Sequence, residues 1–270
     1  MDWRLKALAF RALDLPGGEH LHFWAQRYLL RSWPRPEKRL RSFPPRARGI
    51  IDDYVRHAGE RPRAVLELGA GRDLALPLCL RDLGVETVIA SDIERLAKLD
   101  LVRDAAARLL SEPPDIRGWD DVERYGIHYL APHRVNGADP QVDCSCSNEV
   151  LEHVPAEQLP DLLKEIRRVT RGITIHSIDY SDHYARSDPS ISRLNFLRYS
   201  DEEWARFNGR RHHVNRLRHS DYLRLFREAG FTILEESTLP GEDAPKQIAD
   251  RFRCYDPAEL CAIKGRIVAS

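Results

Sequence analysis

The chain has 270 residues, with 42 Lys+Arg against 42 Asp+Glu, 42% hydrophobic and 31% charged residues. Such a balance supports a large folded core, and it argues against a disordered tail or a nucleic-acid binder held by bulk positive charge. No stretch approaches the roughly 18 apolar residues of a membrane span, and Met1-Asp2-Trp3-Arg4 lacks the basic-then-apolar run of a secretory signal. Five cysteines (Cys79, Cys144, Cys146, Cys254, Cys261) show no CxxC spacing, which argues against a disulfide framework or a cysteine–zinc site and points to a reducing cytoplasm.

Residues 1–62 read as helices separated by proline breaks. Leu5, Leu8, Ala9 and Ala12 fall at helical spacing, and Leu15-Pro16-Gly17-Gly18 interrupts the run. A second helix is predicted over 21–30 and a third over 47–57, joined by an exposed Pro- and Arg-rich connector at 34–48. Acidic residues interleave with the arginines, so this extension reads as a solvated helical face.

From Arg63 onward, short apolar strands alternate with helices. Strands are predicted at 64–68, 86–90, 126–130, 142–146 and 173–178, with helices over 74–83, 94–110 and 156–171. This alternation specifies a parallel sheet flanked by helices. A helix at 220–230 follows, ending at Gly230 with a Leu and Phe stripe for the core. Late strands at 231–236 and 262–269 read as a hairpin-type addition at the sheet edge.

The most informative run is Glu67-Leu68-Gly69-Ala70-Gly71-Arg72-Asp73, between the first strand and a helix. Glycines at such a turn let a ligand approach the backbone where a Cβ would block it. Asp92 closes the next strand, where a carboxylate can accept both hydrogen bonds of a ribose diol. A dinucleotide fingerprint would want a third glycine, but that position is Leu74. The acidic Glu67 would also be a poor neighbour for a pyrophosphate. A carboxylate there suits S-adenosylmethionine (SAM), which carries a sulfonium, an ammonium and a ribose diol but no phosphate.

Together with Val142-Asp143-Cys144-Ser145-Cys146-Ser147-Asn148-Glu149-Val150-Leu151-Glu152-His153-Val154, these motifs resemble the class I SAM-dependent methyltransferases, in particular the type 11 small-molecule group. The resemblance covers about residues 63–231. It implies an α/β fold with a Rossmann-like seven-stranded methyltransferase sheet in a domain over 63–270. Before it lies the N-terminal helical extension, and within it a lid or acceptor insertion at 185–218. It places the cofactor against Glu67, Gly69, Ala70 and Gly71, with Asp92 and Ile93 near the ribose and Ser147 and Asn148 as walls. Many relatives carry an acid after the third strand to meet the adenine amine; here that place holds Ala131-Pro132-His133-Arg134.

A hydroxyl acceptor needs its proton removed or its oxygen made more acidic by a metal. Glu149, Glu152 and His153 have the spacing i, i+3, i+4, so one helical turn would put all three on one face. The arrangement is similar to that of metal-assisted O-methyltransferases of ubiquinone biosynthesis and of small-RNA 3′-end methylation. That similarity implies a divalent ion such as Mg²⁺ on Glu149, Glu152 and His153, completed by His213, His212 or His183. His153 as a metal-free base and a structural helix start are the other readings. Leaving the fifth strand, His176-Ser177-Ile178-Asp179-Tyr180-Ser181-Asp182-His183 offers His176 and Asp179 for acceptor binding and proton handling. In the insertion, the aromatics, asparagines and arginines of Asn195-Phe196-Leu197-Arg198-Tyr199, Trp204 and His212-His213-Val214-Asn215-Arg216-Leu217-Arg218 suit a sugar or an anionic group. His176-Ser177-Ile178-Asp179 and Asp182-His183 followed by Asn215-Arg216-Leu217-Arg218, with Leu15-Pro16-Gly17-Gly18 and Gln26-Arg27 near the N-terminus, resemble bacterial methyltransferases associated with surface-polysaccharide gene clusters.

The expected activity is O-methylation of a small-molecule or surface-glycan hydroxyl. Metal-assisted methylation of an RNA ribose, methylation of an amine, and a non-catalytic SAM-binding role are the alternatives. Ser147-Asn148-Glu149-Val150 lacks the Asn-Pro-Pro-Tyr tetrad of enzymes acting on base amines, and zero net charge disfavours a large nucleic-acid footprint.

Overall fold

The computed structural model describes residues 2–15, 18–241 and 243–270; the break expected at Pro16-Gly17 lies outside them. Its strands are β1 (Ala64–Leu68), β2 (Thr87–Ser91), β3 (Ile127–Leu130), β4 (Val142–Asn148), β5 (Thr170–Asp179), β6 (Ile233–Pro240) and β7 (Ala262–Ala269). They form one sheet in the order β3-β2-β1-β4-β5-β7-β6. β1 pairs in parallel with both β2 and β4, and β2 with β3. Parallel neighbours require crossovers, supplied after β1 by the helix Ala75–Asp82 and after β2 by the helix Leu99–Leu109. From β1 the chain builds outward through β2 and β3, then returns to place β4 on the other side of β1. At such a reversal of strand order, α/β sheets bind ligands outside the carboxyl ends of the strands. β6 and β7 are adjacent at one edge, as the hairpin expectation required.

Contacts divide the chain into two compact units that interleave along the sequence. One comprises Gln26–Asn148, Leu162–His176 and Val268–Ser270. Its core gathers Val65, Leu78, Val88, Val102, Ile127, Cys144 and Ile175. The reduced cysteines of β4 serve there as small apolar side chains. The other unit comprises Met1–Ala25, Glu149–Asp161 and Ser177–Ile267. Its core is aromatic, with Trp3, Tyr184, Phe196, Trp204 and Phe252 all buried. The Trp3 ring lies 4.6 Å from Phe207 and 5.5 Å from Tyr184. The helix Trp3–Ala12 thus buries Trp3 and Ala7, while Leu5 and Leu8 face outward at 63% and 60% exposure.

Several predicted elements change in detail. The stretch 34–48 is not an exposed connector: Glu37–Leu40 is helical, and the helix Phe43–Ala58 starts with prolines in its first turn, where their missing N–H groups cost nothing. The helix expected over 94–110 begins at Leu99, because residues 92–97 form a loop whose Leu96 and Ala97 amides donate to the Tyr129 hydroxyl. A short helix, Trp119–Arg124, was not predicted. No helix among the described residues is long and apolar enough to cross a membrane.

Candidate active site

The glycine turn is held at both ends. Gly69 and Gly71 both have φ of +73°, a left-handed conformation that disfavours any side chain. The amides of Gly69 and Ala70 donate to the Ser91 carbonyl at 2.8 and 3.2 Å, tying the turn to the end of β2. Asp92 is buried and accepts from the Gly71 amide at 3.1 Å and the Glu94 amide at 3.2 Å, one on each oxygen. Each oxygen keeps acceptor capacity for a diol. Ile93 stands beside it as an exposed rim residue.

Glu67 is buried near the end of β1, and its Oε2 has no hydrogen-bond partner. Burial, and then the charges of Asp73 and Asp92, push its pKa up to about 8. A buried acceptor without a donor is costly unless a ligand supplies one. A Cβ built on Gly71 would meet nothing nearer than the Gly69 carbonyl oxygen at 4.0 Å, so the space before the turn is open. An orphan carboxyl for a cation, an oriented carboxylate for a diol, and an open glycine turn fit SAM.

Ser147, at the carboxyl end of β4, is in register with Leu68, the residue before the turn, and Asn148 ends the strand half-buried. Behind Ser147 runs a buried polar chain. The Thr170 hydroxyl donates to Ser145 at 2.8 Å, Ser145 meets Thr174 at 2.6 Å, and Thr174 meets His176 Nε2 at 2.6 Å. His176 Nδ1 then meets the Ser147 hydroxyl at 2.7 Å. Both ring nitrogens of His176 are engaged inside the strand pair. It therefore backs Ser147 and is not a base open to an acceptor, contrary to the expectation.

In the other unit, Glu149 has φ of +57° and only Leu151–His153 forms a 3-10 turn, so the three i, i+3, i+4 side chains do not share a helical face. Glu149 binds Lys264 at 2.7 Å and lies 3.8 Å from Arg186. Burial opposes its ionisation, but those cations outweigh it and hold its pKa below the usual value. The groups that converge are Glu152, His153 and His183, whose candidate ligand atoms lie within 4.8 Å of one another. His183, not His213, is the third member. His213 instead accepts the His153 Nδ1 hydrogen on its carbonyl at 2.7 Å, and its own Nδ1 faces Asn208 at 3.2 Å.

Burial raises the Glu152 pKa above the ordinary carboxyl range, and neither oxygen has a well-formed hydrogen bond. His153 keeps solvent contact, yet crowding by protein and the neighbouring His183 ring lower its pKa. Asp179 is buried, which alone would raise its pKa. Its contacts with His183 (3.5 Å), the Ser181 amide (2.8 Å) and Arg186 prevail and hold it ionised. His212 closes the wall behind, stacked on Phe10 at 4.8 Å and 4.2 Å from the Tyr184 ring.

Three residues have roles that sequence patterns did not show. Asn215 holds the turn at 151–154: its amide donates to the Glu152 carbonyl, and its side chain to the carbonyls of Leu151 and Val154, all at 2.9 Å. Arg216 and Arg218, expected to face a sugar or an anion, are buried and clasp backbone carbonyls of Phe196 and Tyr199, and of Tyr180 and Leu260, respectively. Buried arginine forks suit such carbonyl clusters because their donors diverge in one plane.

A family model described as "Methyltransferase domain" matches residues 44–236. No curated protein matches the chain significantly. Among solved structures, magnesium protoporphyrin IX methyltransferase from Synechocystis PCC 6803 with bound SAM superposes with a TM-score of 0.52 at 11% identity, covering 94% of this chain and 97% of that one. The PH0226 protein from Pyrococcus horikoshii OT3 gives a TM-score of 0.51 at 17% identity, covering 84% and 89%. At such identities the likeness is one of fold. With the family match over most of its length, the chain belongs to the methyltransferase-domain family and is a class I SAM-dependent methyltransferase.

Proposed function

We propose that the enzyme methylates a hydroxyl oxygen of a small molecule or glycan, with His153 as the proton acceptor. The observation that carries this reading is the 2.7 Å contact between His153 Nδ1 and the His213 carbonyl. A carbonyl only accepts, so Nδ1 bears the hydrogen and Nε2 a lone pair. The depressed pKa keeps the ring neutral at physiological pH, the form a base requires.

Bound SAM supplies a methyl group on a positively charged sulfur. Glu67 and Asp92 would hold its cationic and ribose ends, with Gly69, Ala70, Gly71, Ile93, Ser147 and Asn148 around them. His153 Nε2 takes the proton that the acceptor oxygen gives up. Asp179, anchored by Arg186 and the Ser181 amide, orients His183 beside it. The helix Trp3–Ala12 and the 185–218 segment pack behind the buried His183 through Phe10, His212 and Tyr184, while His153 stays open to an acceptor.

A second reading is favoured by one observation: Glu152, His153 and His183 offer three donor atoms in one cluster. A divalent ion such as Mg²⁺ held there would ionise Glu152 and acidify the acceptor hydroxyl.

The test is incubation with methyl-labelled SAM and fractionated metabolites and glycans, with mass spectrometry of the labelled product. An O-methyl product lost in His153→Asn supports the reading. An N-methyl product, or unchanged turnover in that variant, rejects it. Activity abolished by chelator and restored by Mg²⁺ selects the metal-assisted form, and full activity in chelator excludes it.

A further inference from the structure

Three carboxyl groups surround the glycine turn: Glu67, Asp73 and Asp92, exposed to only 4%, 2% and 7%. They are not electrically equivalent. Asp73 is clamped by Arg35 through two hydrogen bonds, at 2.7 and 3.0 Å. The Arg35 guanidinium is itself fixed over the rings of Trp33 at 4.7 Å and Phe43 at 4.8 Å. The backbone around it is tied down as well, because Arg108 donates to the Arg35 carbonyl at 3.0 Å and binds Glu37 at 2.6 Å. Asp92 receives backbone amides, and Glu67 keeps an oxygen with no partner.

Asp73 also precedes Leu74, which adopts φ of +48° without being glycine and is completely buried. That conformation is strained for a leucine, so the turn needs an external hold, and the fork from Arg35 provides one beside the strained residue.

We infer that Arg35 and Asp73 form a charge-balanced positioning pair, which lets Glu67 select the positively charged methyl donor over its uncharged thioether product. The inference rests on the SAM reading of this turn. At neutral pH the donor carries sulfonium, ammonium and carboxylate, a net charge of +1; the demethylated product S-adenosylhomocysteine (SAH) has a net charge of zero. In a poorly solvated site one unit charge shifts ligand preference strongly. Arg35 offsets only part of the Asp73 charge felt at Glu67, so the preference is set by Glu67 and Asp92 together with the balance of this pair. Adding or removing one charge at the pair changes it in a predictable direction.

The test is calorimetric titration of the full chain with SAM and with SAH, read as the ratio of the two affinities. Asp73→Asn leaves the Arg35 cation uncompensated, so the ratio moves toward SAH by about tenfold. Arg35→Met removes the cation and moves the ratio toward SAM. The Arg35→Met/Asp73→Asn double variant restores the original local charge and returns the ratio to near that of the unmodified chain, even if both affinities are weaker. Arg35→Lys, which keeps the charge but loses the fork, weakens both ligands at an unchanged ratio and serves if the methionine variants misfold. A ratio unmoved by the charge-changing Asp73→Asn or Arg35→Met, or one the double variant fails to restore, overturns the inference while leaving SAM binding intact. If the unmodified chain binds neither ligand, the cofactor reading falls and the inference with it.

Discussion

The Nδ1 atom of His153 and the carbonyl oxygen of His213 lie 2.7 Å apart, which assigns the hydrogen to Nδ1 and directs the Nε2 lone pair away from that bond. Replacing His153 with Asn keeps a donor for the carbonyl and removes the base. Turnover should fall at least about 100-fold, with SAM affinity within about twofold because the cofactor residues are untouched. Because the His153 pKa is lowered, the ring is neutral above it, and activity should be lost only as pH falls well below the ordinary histidine value of about 6.5. A kcat/KM profile with an acid limb centred at or above that value would remove His153 from the role.

In the proposed site, Glu67 would link cofactor binding to stability. Its folded pKa, about 8, lies above the ordinary 4.5, so the carboxyl contributes stability fully below that ordinary value and loses it as pH rises through about 8. Glu67→Gln should therefore melt higher than the unmodified apo-protein at pH 9, by roughly 2–4 °C or more, with little difference at pH 4, and should lose SAM affinity. Binding of SAM at pH 7 should release a proton, seen as a dependence of binding heat on buffer ionisation enthalpy, and this release should vanish in Glu67→Gln. Equal melting at both pH values would contradict the linkage.

The hydroxyl chain behind Ser147 has a direction. Thr170 donates to Ser145; if Ser145 donates to Thr174 and Thr174 to His176 Nε2, every buried hydrogen has an acceptor. His176 then carries its hydrogen on Nδ1 and donates to Ser147. The reverse order would strand the Ser145 hydrogen at a completely buried site, at a cost of about 1–3 kcal/mol. Nitrogen-15 NMR of the imidazole should show Nδ1–H. Thr170→Val removes the initiating donor and should mix the tautomers, while Thr170→Ser should not. A spectrum showing Nε2–H in the unmodified protein would reverse the chain.

Asn215 is a positioning residue for the turn that carries His153. Asn215→Ala removes its two side-chain bonds to carbonyls and should destabilise the protein by about 1–3 kcal/mol. It should also alter the pH profile of turnover, because the ring of His153 is no longer held in one place. A stability loss with an unchanged pH profile would leave Asn215 with a structural role alone.

Much of this was legible in the chain itself. The strand, the Glu67–Asp73 turn and the acid at Asp92 mark the proposed cofactor edge, because local sequence decides where a strand ends, where glycines turn and which acid follows. The seven strands were each placed within a few residues, since apolar runs of that length persist whatever packs against them.

Other features depended on residues far apart in sequence. Glu149, Glu152 and His153 have the spacing of one helical face, but a left-handed φ at Glu149 and ion pairs with Lys264 and Arg186 pull that residue out of the cluster. His183 enters in place of His213, since which imidazole arrives depends on how the segment after β5 folds back. Arg35, in a stretch that reads as an exposed connector, meets Asp73 across 38 positions. His176 loses its reactivity to hydrogen bonds with Ser147 and Thr174. Periodicity and turn chemistry act over a few residues, so the sequence alone determined the sheet and the glycine turn. Long-range pairing of charges and of hydrogen-bond donors with acceptors acts through space, so only the tertiary structure decided which side chains are clamped, hydrogen-bonded or left as buried acids.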